Sequence, residues 1–448
     1  MGTALTRAVA TAAACAALVG TVVVGQAAAA PAGPAAERCA LPSGSGGPER
    51  STPEAQQLDP AAVRDAIAYA QTNMRLSVRI HRHNCLVGTG PLDPVTENVP
   101  MNVWSSTKSV VSMATGIAYG QGRLGLDDPI GAYLPDGPGW GDDAHRAITV
   151  RNLLQEAGGL DEAILSEAAT VGNDPHVARQ ALALPITHEP GTNFAYSQRT
   201  PDLLAFVVAR AVGQDFQDFV QDTLFDPIGI DRDSYVWLRD RSGNTYGYAH
   251  LFMPSEQFAR LGLLMQNGGA WNGRQVVPAD YVRQVSEPSV PNPCYGLLFW
   301  TNRGDTCTTP DLPASRVLDH ESTQSAPRDM YAMVGALHQN NFIVPSLDMT
   351  ITWNGVLGDK SPDPQALLSA SPADLYYNFF RILMRGVEDQ DVPDPGPYRP
   401  DTPSTDLSPD NYLDPTVLGN GLGVGPYTPP GCSVVACPPT DAADPRDD

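Results

Sequence analysis

Apolar positions recur every two residues in some stretches of this chain and every three or four in others. Val63, Ile67 and Ala70 recur at helical spacing behind Asp59-Pro60, an N-cap followed by proline at the first helical position, which predicts a helix over 59–73. Leu76, Val78 and Ile80 alternate as a strand ending near Arg82, with residues 85–90 as its hairpin partner. Val110, Val111, Met113 and Ile117 mark a second helix that ends near Gly120–Gly122. Helical pattern then dominates, over about 175–183, 200–213, 215–223, 256–267 and 278–285, after a break at Gly158-Gly159. Strand character returns at 295–301, 330–334, 341–344 and 349–354. Ser371-Pro372 opens a final helix lined by Leu375, Phe379, Ile382 and Leu383, and Gly386 closes it. Helix and strands at the front therefore meet strands and a helix at the back. The expected fold class is α/β (α+β), an antiparallel sheet built from both chain ends, flanked by helices, with an inserted mostly helical domain.

Composition adds boundaries. The 448 residues suffice for one large or two ordinary domains, and the net charge of -22 argues against bulk electrostatic binding of nucleic acid or anionic membrane. Arg7 followed by an apolar, alanine-rich run and small residues at 26–30 reads as a signal peptide over 1–30, too short and leucine-poor for a stable span. A secreted, extracellular protein with bacterial-type export and no membrane span after signal removal is expected. Residues 31–56 are rich in Pro, Gly, Ser and Ala and read as a flexible mature N-terminus, and 388–448 as a Pro/Asp-rich disordered tail. The folded domain is then 57–387.

Cys39, Cys85, Cys294, Cys307, Cys432 and Cys437 remain after signal removal, an even set that suggests disulfides. Several pairings are open; sequence proximity favours Cys294–Cys307 and Cys432–Cys437, leaving Cys39–Cys85. No Cys-x-x-Cys pair suggests zinc, and His81-x-His83 reads as surface histidines. Neither a metal nor another cofactor is expected.

The candidate chemistry lies at Val103-Trp-Ser-Ser-Thr-Lys-Ser-Val-Val111. Ser105 and Lys108 share one helical face, and a serine hydroxyl needs a neighbouring base to become a nucleophile. Lys108 suits that role if burial or nearby cations lower its pKa. The chain uses arginine almost throughout, with lysine only at 108 and 360, and arginine cannot serve as a base. The alternative is a capping Ser105 with a solvated Lys108, although a helix N-terminus disfavours a cation.

The order of motifs resembles the serine β-lactamase and penicillin-binding-protein superfamily, especially its class C and esterase-like branch. Ser105-x-x-Lys108 is followed by Glu189-Pro190-Gly191-Thr192 and Phe194-Ala-Tyr196-Ser-Gln198, similar to Pro-Gly-…-Tyr-x-Asn. Phe258 through Arg274, then Gly335-x-x-x-Gln339 with Val344-Pro345-x-x-Asp348, complete a resemblance spanning roughly 59–386. It implies Ser105 as nucleophile, Lys108 and Tyr196 as proton carriers, and backbone N–H groups of Ser105 and Gln339 at the oxyanion. The Tyr196 phenol, near an ammonium, is expected to ionise more easily. Gln198 stands where the family has asparagine and is expected to contact substrate. The Lys-Thr-Gly strand motif falls on Ala336-Leu337-His338, with His338 as a substrate contact in a strand otherwise lacking the cation.

The resulting expectation is an exported serine hydrolase acting through an acyl-enzyme on an ester, amide or peptide-like small molecule. A β-lactamase or D,D-carboxypeptidase of the same fold, or a non-catalytic exported binding or scaffold protein, are the alternatives.

Overall fold

Asp59 accepts the N–H of Ala61 at 2.8 Å and opens α1 (Pro60–Thr72), where the N-cap and proline predict it. The computed structural model describes residues 36–309, 316–356, 374–399 and 412–437. The segment 1–30 expected to be a signal peptide, Lys360 and Ser371-Pro372 lie outside the described residues. After α1 come β1 (Arg75–Arg82) and β2 (Cys85–Thr89), then α2 (Ser106–Gly120). The middle block contains α3 (Val150–Leu154), α4 (Ile164–Ala168), α5 (Val177–Ala181), α6 (Arg199–Val212) and α7 (Ser255–Gln266). The chain returns through β3 (Trp300–Thr301), β4 (Tyr331–Gly335), β5 (Gln339–Val344) and β6 (Met349–Gly355) to α8 (Asp374–Met384) and α9 (Pro415–Leu422).

The sheet order is β2-β1-β6-β5-β4-β3, antiparallel throughout, so the first and last thirds of the chain meet at the β1–β6 pair. One face carries Val78, Ile80, Phe342, Ile351 and Trp353 into a core with Val63 and Ile67 of α1 and Phe379 and Phe380 of α8. The other face is buried yet partly polar. Asn341 accepts from Thr352 at 2.9 Å and donates to the Phe258 carbonyl of α7 at 2.7 Å. A Cβ on Gly262 would come within 2.2 Å of that Asn341 oxygen, so a side-chain-free position lets α7 lie against the sheet.

The described parts of two segments expected to be loose, 36–56 and 412–437, make specific contacts. Pro42 accepts from the Trp271 indole at 3.1 Å, and buried Arg260 donates to the carbonyls of Gly44, Gly46, Ile228 and Gly229. Proline and glycine leave carbonyls without local partners, and one guanidinium gathers four of them. In the tail, Asp414 caps α9, Tyr412 receives the Leu165 N–H at 2.9 Å, and Asn420 donates to Gln180 at 3.0 Å. Helices α4 and α5 have five residues each, too short to persist uncovered, and this tail supplies their cover. Disulfides join Cys39–Cys85, Cys294–Cys307 and Cys432–Cys437. Among the described residues no helix is long and apolar enough to cross a membrane.

His81 is another correction: it is buried in β1 rather than on the surface. Burial, with Arg79 and Arg50 adding to it, lowers its pKa to about 3. An unfolded histidine titrates near 6.5, so between the two values the unfolded chain takes up a proton that the folded chain refuses, and stability falls as pH drops through that window. His81→Leu is expected to remove up to about 3 kcal/mol of the stability lost between pH 7 and pH 4. Urea unfolding at both pH values checks this; an equal loss in both proteins refutes it.

Candidate active site

The backbone turns sharply just before α2. Val103 donates to Leu251 at 2.9 Å, and Trp104 takes a positive φ of 47° while its N–H reaches the Asn102 side chain at 2.9 Å. Ser105 is the N-cap of α2 but makes no side-chain cap, so its hydroxyl is not spent on the helix. Ser106 does the anchoring, donating to the Gln339 carbonyl at 2.8 Å. A Cβ on Gly335 would meet the Val103 carbonyl at 2.2 Å, so glycine is what lets the β4–β5 hairpin pass this close to the Ser105 turn.

Lys108 is 1% exposed. Its Nζ donates to the Ser197 carbonyl at 2.5 Å and Gln198 Oε1 at 3.1 Å, and lies 3.3 Å from Glu156 Oε1. It also sits 3.9 Å from the centroid of the Tyr196 ring. Burial pulls the lysine pKa down, but Glu156, Tyr196 and Glu167 push it up further, and the net direction is up. Lys108 is therefore an ammonium in the resting site, which overturns the expectation of a lysine made basic by burial. Ser105 and Lys108 both lie beside the Tyr196 side chain, the ammonium over the face of its ring. Burial raises its pKa by more than Lys108 lowers it, so the expected easier ionisation is also overturned. Phe194, Tyr295 and Trp300 surround the ring.

Glu156, fully buried, is the residue the sequence reading missed. It follows α3, whose start is fixed by a Thr149–Asn152 capping box, and it adopts a positive φ of 48°. That conformation costs a non-glycine residue roughly 1 kcal/mol or more and persists only where surroundings enforce it. Ala157 accepts from Gly191 at 2.7 Å, and a Cβ on Gly159 would meet the His188 carbonyl at 2.2 Å. Burial raises the Glu156 pKa while Lys108 lowers it, leaving it at about 7.

A second buried layer holds the acceptors of Lys108 in place. Glu167 accepts from the N–H groups of Gln198 at 2.6 Å and Arg199 at 3.3 Å, where the α6 dipole favours a carboxylate. Arg199 bridges Asp174 at 2.7 Å and Asp202 at 2.9 Å. Arg199 and Asp202, three apart at the start of a mostly apolar helix, were the readable signal for this layer. Nothing in local spacing marked Glu156.

Of the residues singled out from sequence, Ser105, Lys108, Tyr196 and Gln198 come together. Gln198 reaches Lys108 through its amide oxygen, so that oxygen is committed to the lysine and not to a substrate. The Gln339 side chain is locked away from the Ser105 turn, donating to Gly355 at 2.6 Å and accepting from its N–H at 3.0 Å. Its backbone does lie in the hairpin beside α2. His338 does not join them. Ala336-Leu337-His338 form the hairpin turn rather than a strand, with Leu337 and His338 at positive φ. The buried His338 ring bonds the Tyr376 hydroxyl of α8 at 2.7 Å, which removes it as a substrate contact. Gly335 thus ends the strand that passes Ser105, and the register assumed from sequence ran past that strand's end.

The beta-lactamase family model matches residues 77–303, just over half of the chain. Esterase EstB of Burkholderia gladioli is 29% identical over 153 residues, covering 31% of this chain and 38% of its own length. Protein flp of Staphylococcus aureus (strain N315) is 24% identical over 141 residues, 31% of this chain and 28% of its own. This chain therefore spans well under half the length of either relative. A solved Bacillus anthracis structure, a "putative 6-aminohexanoate-dimer hydrolase", superposes with a TM-score of 0.52 at 15% identity, covering 70% of this chain and 79% of that one. The matched stretch is the one that brings Ser105, Lys108 and Tyr196 together, and on that match the chain belongs to the beta-lactamase family.

Proposed function

We propose that this chain is an exported serine hydrolase whose catalytic unit spans residues 57–387 and which acts through an acyl-enzyme on esters or neutral amides. The observation that carries the reading is the convergence of Ser105, Tyr196 and the buried Lys108, whose Nζ stands 3.9 Å from the centroid of the Tyr196 ring. Ser105 attacks the carbonyl carbon and Tyr196 relays its proton. The Ser105 N–H, at a helix N-terminus without an intrahelical partner, and the backbone of the Gly335–Gln339 hairpin stabilise the oxyanion. Three disulfides support export, since such bonds persist in oxidising compartments.

The preference for esters and neutral amides rests on charge. Lys108 is the lysine of the described residues, and its charge is already matched by Glu156. The strand that ends beside the Ser105 turn, Tyr331–Gly335, carries no cation. Desolvating a carboxylate there without a cation costs on the order of several kcal/mol. EstB is named as an esterase, which fits the same reading.

Two measurements test this. A fluorophosphonate probe is expected to label the purified protein and to leave Ser105→Ala unlabelled; labelling that survives the substitution removes Ser105 as nucleophile, and no labelling or turnover of any ester or lactam favours a binding role. Second, kcat/KM on a p-nitrophenyl short-chain ester is expected to exceed that on a chromogenic cephalosporin. The reverse order would place the chain with the β-lactamases or D,D-carboxypeptidases instead.

A further inference from the structure

Buried Glu156 has no role in the reading above, yet it touches the group at the centre of it. Its Oε1 lies 3.3 Å from Lys108 Nζ and 3.5 Å from the Ser197 N–H, with both charged side chains removed from water. Lys108 has only three N–H bonds, and Ser197, Gln198 and Glu156 face them. A lysine in that state has no lone pair with which to take a proton. The Tyr196 phenol, kept neutral by burial, is no stronger a base. The serine proton needs a further destination.

We propose that Glu156 is that destination, a positioning residue that makes Lys108 basic by accepting one of its protons. The inference rests on the serine-hydrolase reading. As Ser105 Oγ bonds to the carbonyl carbon, the C=O π pair moves onto oxygen and the serine proton passes to Tyr196 Oη. The phenol proton moves to Lys108 Nζ, and a Lys108 proton moves to Glu156 Oε1. Lys108 and Tyr196 end as they began, and Glu156 ends protonated. When the bond to the leaving alcohol or amine breaks, the proton returns along the same line to that oxygen or nitrogen.

The surroundings of Glu156 fit a terminal acceptor. Lys108, Tyr196, Tyr295 and Glu162 are the titratable groups around it. Burial is the largest influence and holds the carboxyl at about 7, near the operating range of a general base. Glu167 adds negative charge on the far side of Lys108.

The test uses the full-length protein and a p-nitrophenyl ester. Wild-type kcat/KM is expected to fall on the acid side with a midpoint near pH 7. Glu156→Gln should lower kcat about 100-fold at pH 7.5, change KM little, and abolish that midpoint. Glu156→Asp should recover at least about tenfold over the glutamine variant, with a displaced midpoint. An unchanged midpoint in Glu156→Gln, with the rate reduced by one factor at every pH, would assign Glu156 a structural role and overturn the inference. Should the glutamine variant fail to fold, the aspartate variant's midpoint decides: displaced supports the proposal, unchanged overturns it. The infrared carbonyl band of a protonated carboxyl, titrated in wild type and in whichever variant folds, reads the same group without turnover; no variant-sensitive band near pH 7 also overturns it. Turnover persisting in Ser105→Ala would instead mean that the serine-hydrolase reading has failed.

Discussion

Burying the charge of Lys108 is the constraint around which this structure is arranged. An ammonium removed from water needs hydrogen-bond acceptors and a counter-charge, or it sheds its proton. The Ser197 carbonyl, the Gln198 amide oxygen and Glu156 meet that demand. Each has to be held. Glu167 fixes the Gln198–Arg199 turn, Arg199 ties Glu167 to Asp174 and Asp202, and Glu156 takes a left-handed conformation to reach the lysine. The helical block is therefore scaffolding for one lysine, and its own short helices are covered by the docked tail.

The sheet plays a complementary part. Its α1–α8 face is a conventional apolar core, while the face toward α7 mixes polar residues that satisfy one another, as Thr352, Asn341 and the Phe258 carbonyl do. Buried amides of this kind fix register more tightly than apolar contacts, since a slip leaves several groups unpaired at once. Fixed register matters here because the hairpin following β4 must pass Val103 closely enough that Gly335 tolerates no side chain.

Much of this was legible in the sequence. The Asp59-Pro60 start, the alternation in β1 and the helical run after Ser105 are local signals, set within a few residues by capping, pleat and periodicity, and the structure follows them. The Ser105, Lys108 and Tyr196 set was legible because motif order survives where spacing varies. Composition misled at both ends. Proline and glycine report how little a segment stabilises itself, not whether Arg260 or Gln180 waits across space to bond it.

Sequence alone determined the longer helices and the main strands, that an antiparallel sheet joins the two chain ends, and which serine, lysine and tyrosine to look for together. Tertiary structure alone decided the state of that site. Glu156 lies 48 residues beyond Lys108 in the chain and reaches it from a left-handed conformation that local spacing does not mark. His338 was turned toward α8 because strand β4 ends one residue before Ala336 and the chain turns there. Both outcomes depend on burial and long-range distance, which set charge and orientation and leave no periodic trace in a chain read one residue at a time.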